Sequence, residues 1–131
     1  METFTVSTGQ RNELTDITGK VKNIVHDAGV QNGICVVYTP HTTAGITINE
    51  NADPSVQHDI RLKLNDVIDE DPRFRHAEGN SDSHIKTSLV GCSEQIIIEN
   101  GRLVLGTWQG IFFCEFDGPR TRKVHVQILG S

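Results

Sequence analysis

The sequence has 131 residues, a formal net charge of −5, 36% hydrophobic residues and 22% charged residues. A chain of this length holds one hydrophobic core but not two, and its balance is that of a folded protein rather than a disordered tail. The acidic sign argues against non-specific nucleic-acid binding, and no apolar run approaches the roughly 20 residues that cross a bilayer.

Phe4 and Val6 alternate with Thr3, Thr5 and Ser7, which predicts a first strand. The start Met1-Glu2-Thr3-Phe4 lacks the basic and apolar stretches of a signal peptide, so a cytoplasmic location is expected. Ile17, Val21, Ile24, Val25 and Ala28 fall on one helical face, with Thr15 or Asp16 as cap and Gly29 as terminator. Ile34 to Tyr38 reads as a buried strand ended by Pro40, and Ala44 to Asn49 as another strand. Asp53-Pro54 is a helix start, and Val56, Ile60, Leu64, Val67 and Ile68 keep helical spacing after it.

Residues 70–83 form a polar, acidic loop of the length associated with function. Ser81 or Asp82 can cap a short helix through Val90, closed by Gly91. Two hairpins are predicted next. One joins 95–99 to 102–105 through Asn100-Gly101 in a type I′ turn. The other joins 108–116 to 121–129 through a type II′ turn at Gly118-Pro119, placing Glu115 opposite Arg122. Together these elements predict a single-domain α+β fold, with a mostly antiparallel, sandwich-like sheet core and two to three helices.

The three cysteines, Cys35, Cys92 and Cys114, form no CxxC pair, so neither a zinc ribbon nor a thioredoxin motif is present. Cys35 and Cys114 sit in apolar runs and are expected to be buried thiols. His26, His58 and His125 are expected on helix or strand surfaces.

Three polar clusters carry the candidate chemistry. The first is His41-Thr42-Thr43 on the turn between two apolar strands, followed by Asn49-Glu50 near a helix start. It is either a site at the mouth of a buried sheet or a polar turn with a cap. The second is His76, Glu78, Asn80, Asp82, His84 and Lys86. Imidazoles with carboxylates suit zinc, manganese or iron, and carboxylates alone suit magnesium. A helix beginning at Ser81 would instead offer an anion site, to which Lys86 adds charge. The bland alternative is a solvated acidic loop. The third is Gly106-Thr107-Trp108-Gln109-Gly110 with Glu115, Arg120 and Arg122. Here Trp108 is either a ligand platform or core, and Glu115 with Arg122 reads most simply as a cross-strand ion pair.

The segments His41-Thr-Thr-Ala-Gly-Ile-Thr-Ile-Asn-Glu-Asn-Ala-Asp-Pro, His76-Ala-Glu-Gly-Asn-Ser-Asp-Ser-His84-Ile-Lys and, together, Ser88-Leu-Val-Gly with Gly101-Arg-Leu-Val-Leu-Gly106-Thr-Trp-Gln-Gly resemble those of the YjbQ-type proteins. The similarity runs over essentially the whole chain. It implies a homotrimer of α+β subunits, with sheets packed around a threefold axis and a polar pocket possible between subunits. It also implies secondary thiamine-phosphate synthase activity, which joins a hydroxymethylpyrimidine diphosphate to a thiazole phosphate with release of pyrophosphate. On this reading Glu50, His84, Lys86 and Glu115 are the catalytic candidates. Thr42, Thr43, Asn49, Asn80, Trp108, Gln109, Arg120 and Arg122 are the substrate-binding candidates. Mg2+ serves the transferase reaction, while His41, His76 and His84 could instead hold Zn2+ or another transition metal. The competing reading is a metal- or metabolite-binding homotrimer, or a metal-dependent hydrolase.

Self-association has a second argument. Phe112, Cys114 and Phe116 share one face of their strand, and Ile111, Phe113 and Glu115 the other. A strand apolar on both faces needs cover on both, and a subunit contact would supply the second.

Overall fold

The computed structural model describes residues Met1–Ser131. In chain order the elements are β1 (Glu2–Ser7), β2 (Glu13–Asp16), α1 (Thr18–Ala28), β3 (Gly33–Tyr38), β4 (Ala44–Glu50), α2 (Pro54–Val67), α3 (Ser81–Val90), β5 (Ser93–Glu99), β6 (Arg102–Leu103), β7 (Gln109–Glu115) and β8 (Thr121–Gly130). They form a five-stranded sheet, β1-β8-β3-β5-β6, and a three-stranded sheet, β2-β7-β4. Every strand pair is antiparallel. The α+β fold expected from the sequence is thus the one observed.

The core lies where the inward residues of both sheets meet α1. Val124 and Val126 of β8, Cys35 and Val37 of β3, and Ile96 and Ile98 of β5 alternate into it from the large sheet. Ile46, Ile111 and Phe113 enter from the small sheet, and Val21 and Val25 from α1. Burial pushes the Cys35 thiol up to about 11 and the Cys114 thiol up to about 12, so both are inert apolar fillers.

Local signals explain most element ends. Asp53 accepts the Ser55 N–H at 2.9 Å and starts α2. The Asp16 carboxylate accepts the Thr18 N–H at 2.9 Å, although Ile17 is the residue at the cap position of α1. Gly29 ends that helix with φ +70°. Asn100 and Gly101 both have positive φ, as the type I′ turn between β5 and β6 requires. Ser81 and Asp82 are not caps but the first residues of α3, and Asn80 stands before them with its side chain turned to Asp117 at 2.9 Å. The strand after Gly101 is also shorter than its apolar pattern suggested, ending at Leu103.

The predicted hairpin between 108 and 129 does not form. β7 pairs with β2 and β4, while β8 pairs with β1 and β3 in the other sheet. The link between them carries a cis Gly118–Pro119 peptide in place of the type II′ turn. The physical reason lies in the strand patterns. β7 is apolar on both faces, so it takes the middle of the small sheet, where residues Gly110 to Phe116 are all buried. β8 alternates and needs only one covered face. β7 is therefore covered on both faces by its own chain, and its composition gives no argument for a second copy. β2 escaped prediction because Glu13-Leu14-Thr15-Asp16 has a single apolar residue and sits at a sheet edge.

Candidate active site between the histidine turn and helix α3

Glu115 ends β7 and Arg122 lies at the start of β8, so their pairing bridges the two sheets. Both are enclosed, at 0% and 4% exposure. Arg122 donates through Nε to Glu115 Oε1 at 2.8 Å and through Nη2 to Oε2. Thr8 Oγ1 donates to Oε1 at 2.8 Å, and the Asp117 N–H to Oε2 at 3.0 Å. Burial alone would raise the Glu115 pKa, but the Arg122 hydrogen bonds and these further donors leave it below the usual carboxylate value. Every acceptor of the carboxylate is occupied from inside. The pair welds the sheets together and presents nothing to a bound molecule.

Lys86 is equally enclosed, at 1% exposure. Its ammonium donates to Asn65 Oδ1 at 2.5 Å and Asn12 Oδ1 at 3.2 Å, and burial lowers its pKa. The neighbouring Asp82 is held by both terminal nitrogens of Arg11, at 2.9 and 3.0 Å. Asn80 is buried beside Asp117, which also binds Arg120 at 3.1 Å. These groups fasten the N-terminal turn of α3 to the end of β7, where Ser83 Oγ donates to the Phe116 carbonyl at 2.6 Å.

Open surface is found on the outward face of the same helix, between these buried residues. A cleft of about 520 Å³ runs between the β3–β4 turn and α3. Tyr38, His41 and Thr42 form one wall, and His84, Thr87, Ser88 and Cys92 the other. Gly45 permits this approach: a Cβ there would lie 2.6 Å from the Gly91 carbonyl oxygen, which accepts the Ile46 N–H at 3.0 Å. Thr43 lies just behind the cleft, with its hydroxyl bound by Arg122 at 2.9 Å. Thr87 and Ser88 are not among the candidates the sequence singles out, although they stand three and four residues after His84 and share its helical face.

His41 has a defined protonation pattern. Its Nε2 accepts the Lys123 backbone N–H at 2.9 Å. The ring is therefore neutral with its proton on Nδ1. Burial, then the nearby Arg122 charge, lower its pKa and favour this form. His41 is thus a hydrogen-bond donor rather than a base.

His84 also belongs to a second depression of about 390 Å³ at the start of α3, lined by Phe74, Arg75, His76, Ser81 and Ile85. The His76 ring stands edge-on to His84 with centroids 5.5 Å apart. Arg75 and the two imidazoles stand beside the start of a ten-residue helix, whose Asp82 N–H donates to Glu70 Oε1 at 3.0 Å and whose Ser83 N–H donates to the Asn80 carbonyl at 3.1 Å.

The remaining candidates gather elsewhere. Asn49 and Glu50 close β4 opposite Gly110 and Gln109, and the Asn51 N–H donates to the Trp108 carbonyl at 3.0 Å. Trp108 is 62% exposed and so is not core. At about 3.3 Å per residue, the length of β4 puts this cluster roughly 20 Å from the His41–His84 cleft. One chain therefore carries the polar residues as two groups at opposite ends of one strand.

No three His, Cys, Asp or Glu side chains of the chain converge closely enough to hold a metal ion. His41, with Nε2 engaged, and the His76–His84 pair do not make a three-ligand set in one chain, and the carboxylates do not make one for magnesium. No helix is long and apolar enough to cross a membrane.

A two-sheet α+β domain with a histidine-, serine- and threonine-lined cleft between a strand turn and a helix defines a class of small single-domain proteins. The chain belongs to the YjbQ/UPF0047 family, whose profile, described as UPF0047 protein YjbQ-like, matches residues 2–131. It is 58% identical to UPF0047 protein MJ1081 of Methanocaldococcus jannaschii, covering 98% of this chain and 93% of that one. It is 50% identical to UPF0047 protein YugU of Bacillus subtilis, over 99% of each. The crystal structure of an uncharacterized YjbQ/UPF0047 family protein from Clostridium acetobutylicum superposes with a TM-score of 0.96, at 55% identity and 98% and 100% coverage. A protein of unknown function from Sulfolobus solfataricus superposes at 0.95, with 36% identity and 99% and 96% coverage.

Proposed function

We propose that the protein is a transferase with thiamine-phosphate synthase activity. A hydroxymethylpyrimidine diphosphate loses pyrophosphate as its methylene C–O bond breaks, and the bonding electrons leave with the phosphate oxygen. The thiazole nitrogen of the second substrate then supplies the electron pair for the new C–N bond. The carrying observation is His84 on the wall shared by a roomy cleft and a basic depression at a helix N-terminus. Arg75 and His76 suit the departing pyrophosphate, whose developing charge they stabilise. His41 donates from Nδ1 to an acceptor in the cleft. Magnesium in this reading travels with the diphosphate, since one chain builds no ligand set for it.

Trp108, Gln109, Asn49 and Glu50 offer a stacking surface, amide groups and a carboxylate for the pyrimidine, but from the far end of β4. Their use in the same reaction requires a neighbouring copy, in keeping with a homotrimer. Support comes from the uncovered face of the large sheet, where Leu129, Ile34 and Ile97 form an exposed apolar row across three paired strands. The test supplies both phosphorylated precursors with magnesium to protein freed of contaminating synthase. Thiamine phosphate is expected to form, with His84→Ala slowing it at least tenfold. Absence of product, or a His84→Ala rate equal to wild type, overturns the proposal.

A further inference from the structure

On the other side of the molecule a cavity of about 340 Å³ lies between α1 and the β5–β6 turn. Its lining residues are Lys22, Val25, His26, Gly101, Arg102 and Leu103. Val25 is fully buried and, with the half-buried Leu103, provides an apolar floor. Lys22 and His26 stand four residues apart, so they rise from one face of α1. Arg102 projects from the opposing turn.

The two walls are fixed relative to each other. Gly101 donates its N–H to the Gln31 carbonyl at 2.9 Å, and the positive φ of Gly101 holds the turn in shape. A Cβ at Gly101 would also meet the Gln31 side chain at 3.2 Å, so the turn sits tightly against the segment that follows α1.

The charge of this cavity is unusual for the chain. The net charge is −5, yet every titratable group lining the cavity is basic. Lys22 and Arg102 have no ion-pair partner. Glu99 faces Arg102 in the strand register without forming an ion pair with it. Asp27 lies 3.4 Å from His26 Nδ1, but it lines a different depression beside Ile24 and Ala28. A planar guanidinium matches two oxygens of a phosphate group, while an ammonium supplies a point charge to a third.

We infer that this cavity is a second anion site, separate from the His84 cleft, that takes the phosphate or diphosphate group of a small molecule. Its volume fits a ligand of metabolite size. Inorganic pyrophosphate is the probe, titrated into ¹⁵N-labelled protein at constant ionic strength. Saturable shifts are expected at the Lys22, His26, Gly101, Arg102 and Leu103 amides. The Lys22→Ala/Arg102→Ala double variant should weaken the dissociation constant taken from these signals at least tenfold. His84→Ala should leave it unchanged, which separates this site from the proposed active cleft. Both altered side chains are exposed, and an unchanged melting temperature verifies folding. Shifts confined to α3, equal affinity in the double variant, or the same shifts with acetate overturn the inference.

Discussion

Glu115 and Arg122 show how position alone decides what a charged residue does. Each has the chemistry of a catalytic group, but full enclosure and mutual hydrogen bonding make the pair a bridge between sheets. Removing one partner leaves the other charge buried without compensation, which costs about 3–5 kcal/mol. Urea unfolding of Glu115→Gln at pH 7 should show a loss of that order. The Arg122→Met/Glu115→Leu double variant should lose less than the summed single variants. The pH dependence has a definite sign. The folded Glu115 pKa lies below its ordinary value, so its stabilisation is complete above that value and disappears as pH falls through the lower folded one. Wild type should therefore lose stability below about pH 4 more steeply than Glu115→Gln does. Parallel acid limbs would contradict this role.

His84 acts differently because α3 turns it outward between two depressions while its neighbours Ser83 and Lys86 turn inward. That division of labour was only partly legible in the sequence. The cluster from His76 to Lys86 was visible as a group of chemically active types. Its split into a buried anchor and an open cleft depends on which helical face meets β7, and the weak amphipathic pattern of Ser81–Val90 did not reveal that.

At the scale of elements, helix faces, the Asp53 cap of α2 and the Asn100-Gly101 turn were readable because their causes are local. The partnership of β7 was not. Glycine and proline between two apolar runs indicate a turn but not whether the second run returns beside the first. The deciding feature, that residues 111–116 are apolar on both faces, suggests from the sequence alone a need for a second copy. A middle position in the small sheet satisfies it within the chain. The seating of α3 on β4 depends on Gly45. Gly45→Ala would push its Cβ against the Gly91 carbonyl, so the end of α3 must shift at a cost of about 1–3 kcal/mol. Thermal unfolding should show that loss, and the rate attributed to His84 should fall with it. Unchanged stability would mean that the helix end yields freely.

At the scale of the whole molecule, one fact organises the functional reading. Two sets of polar residues occupy opposite ends of β4, and an uncovered sheet face carries the apolar row of Leu129, Ile34 and Ile97. The cleft of a single 14.5 kDa chain holds only one of these groups, and the proposed site completed between copies would bring the divided chemistry together. The most direct test mixes two impaired proteins. His84→Ala removes the cleft residue and Trp108→Ala the stacking surface, so each variant alone should form thiamine phosphate at least tenfold more slowly than wild type. Co-expressed in one assembly, they form some sites that receive an intact His84 from one chain and an intact Trp108 from another. Such mixed assemblies should regain a clear fraction of the wild-type rate, whereas a mixture as slow as its parents would contradict a site shared between subunits.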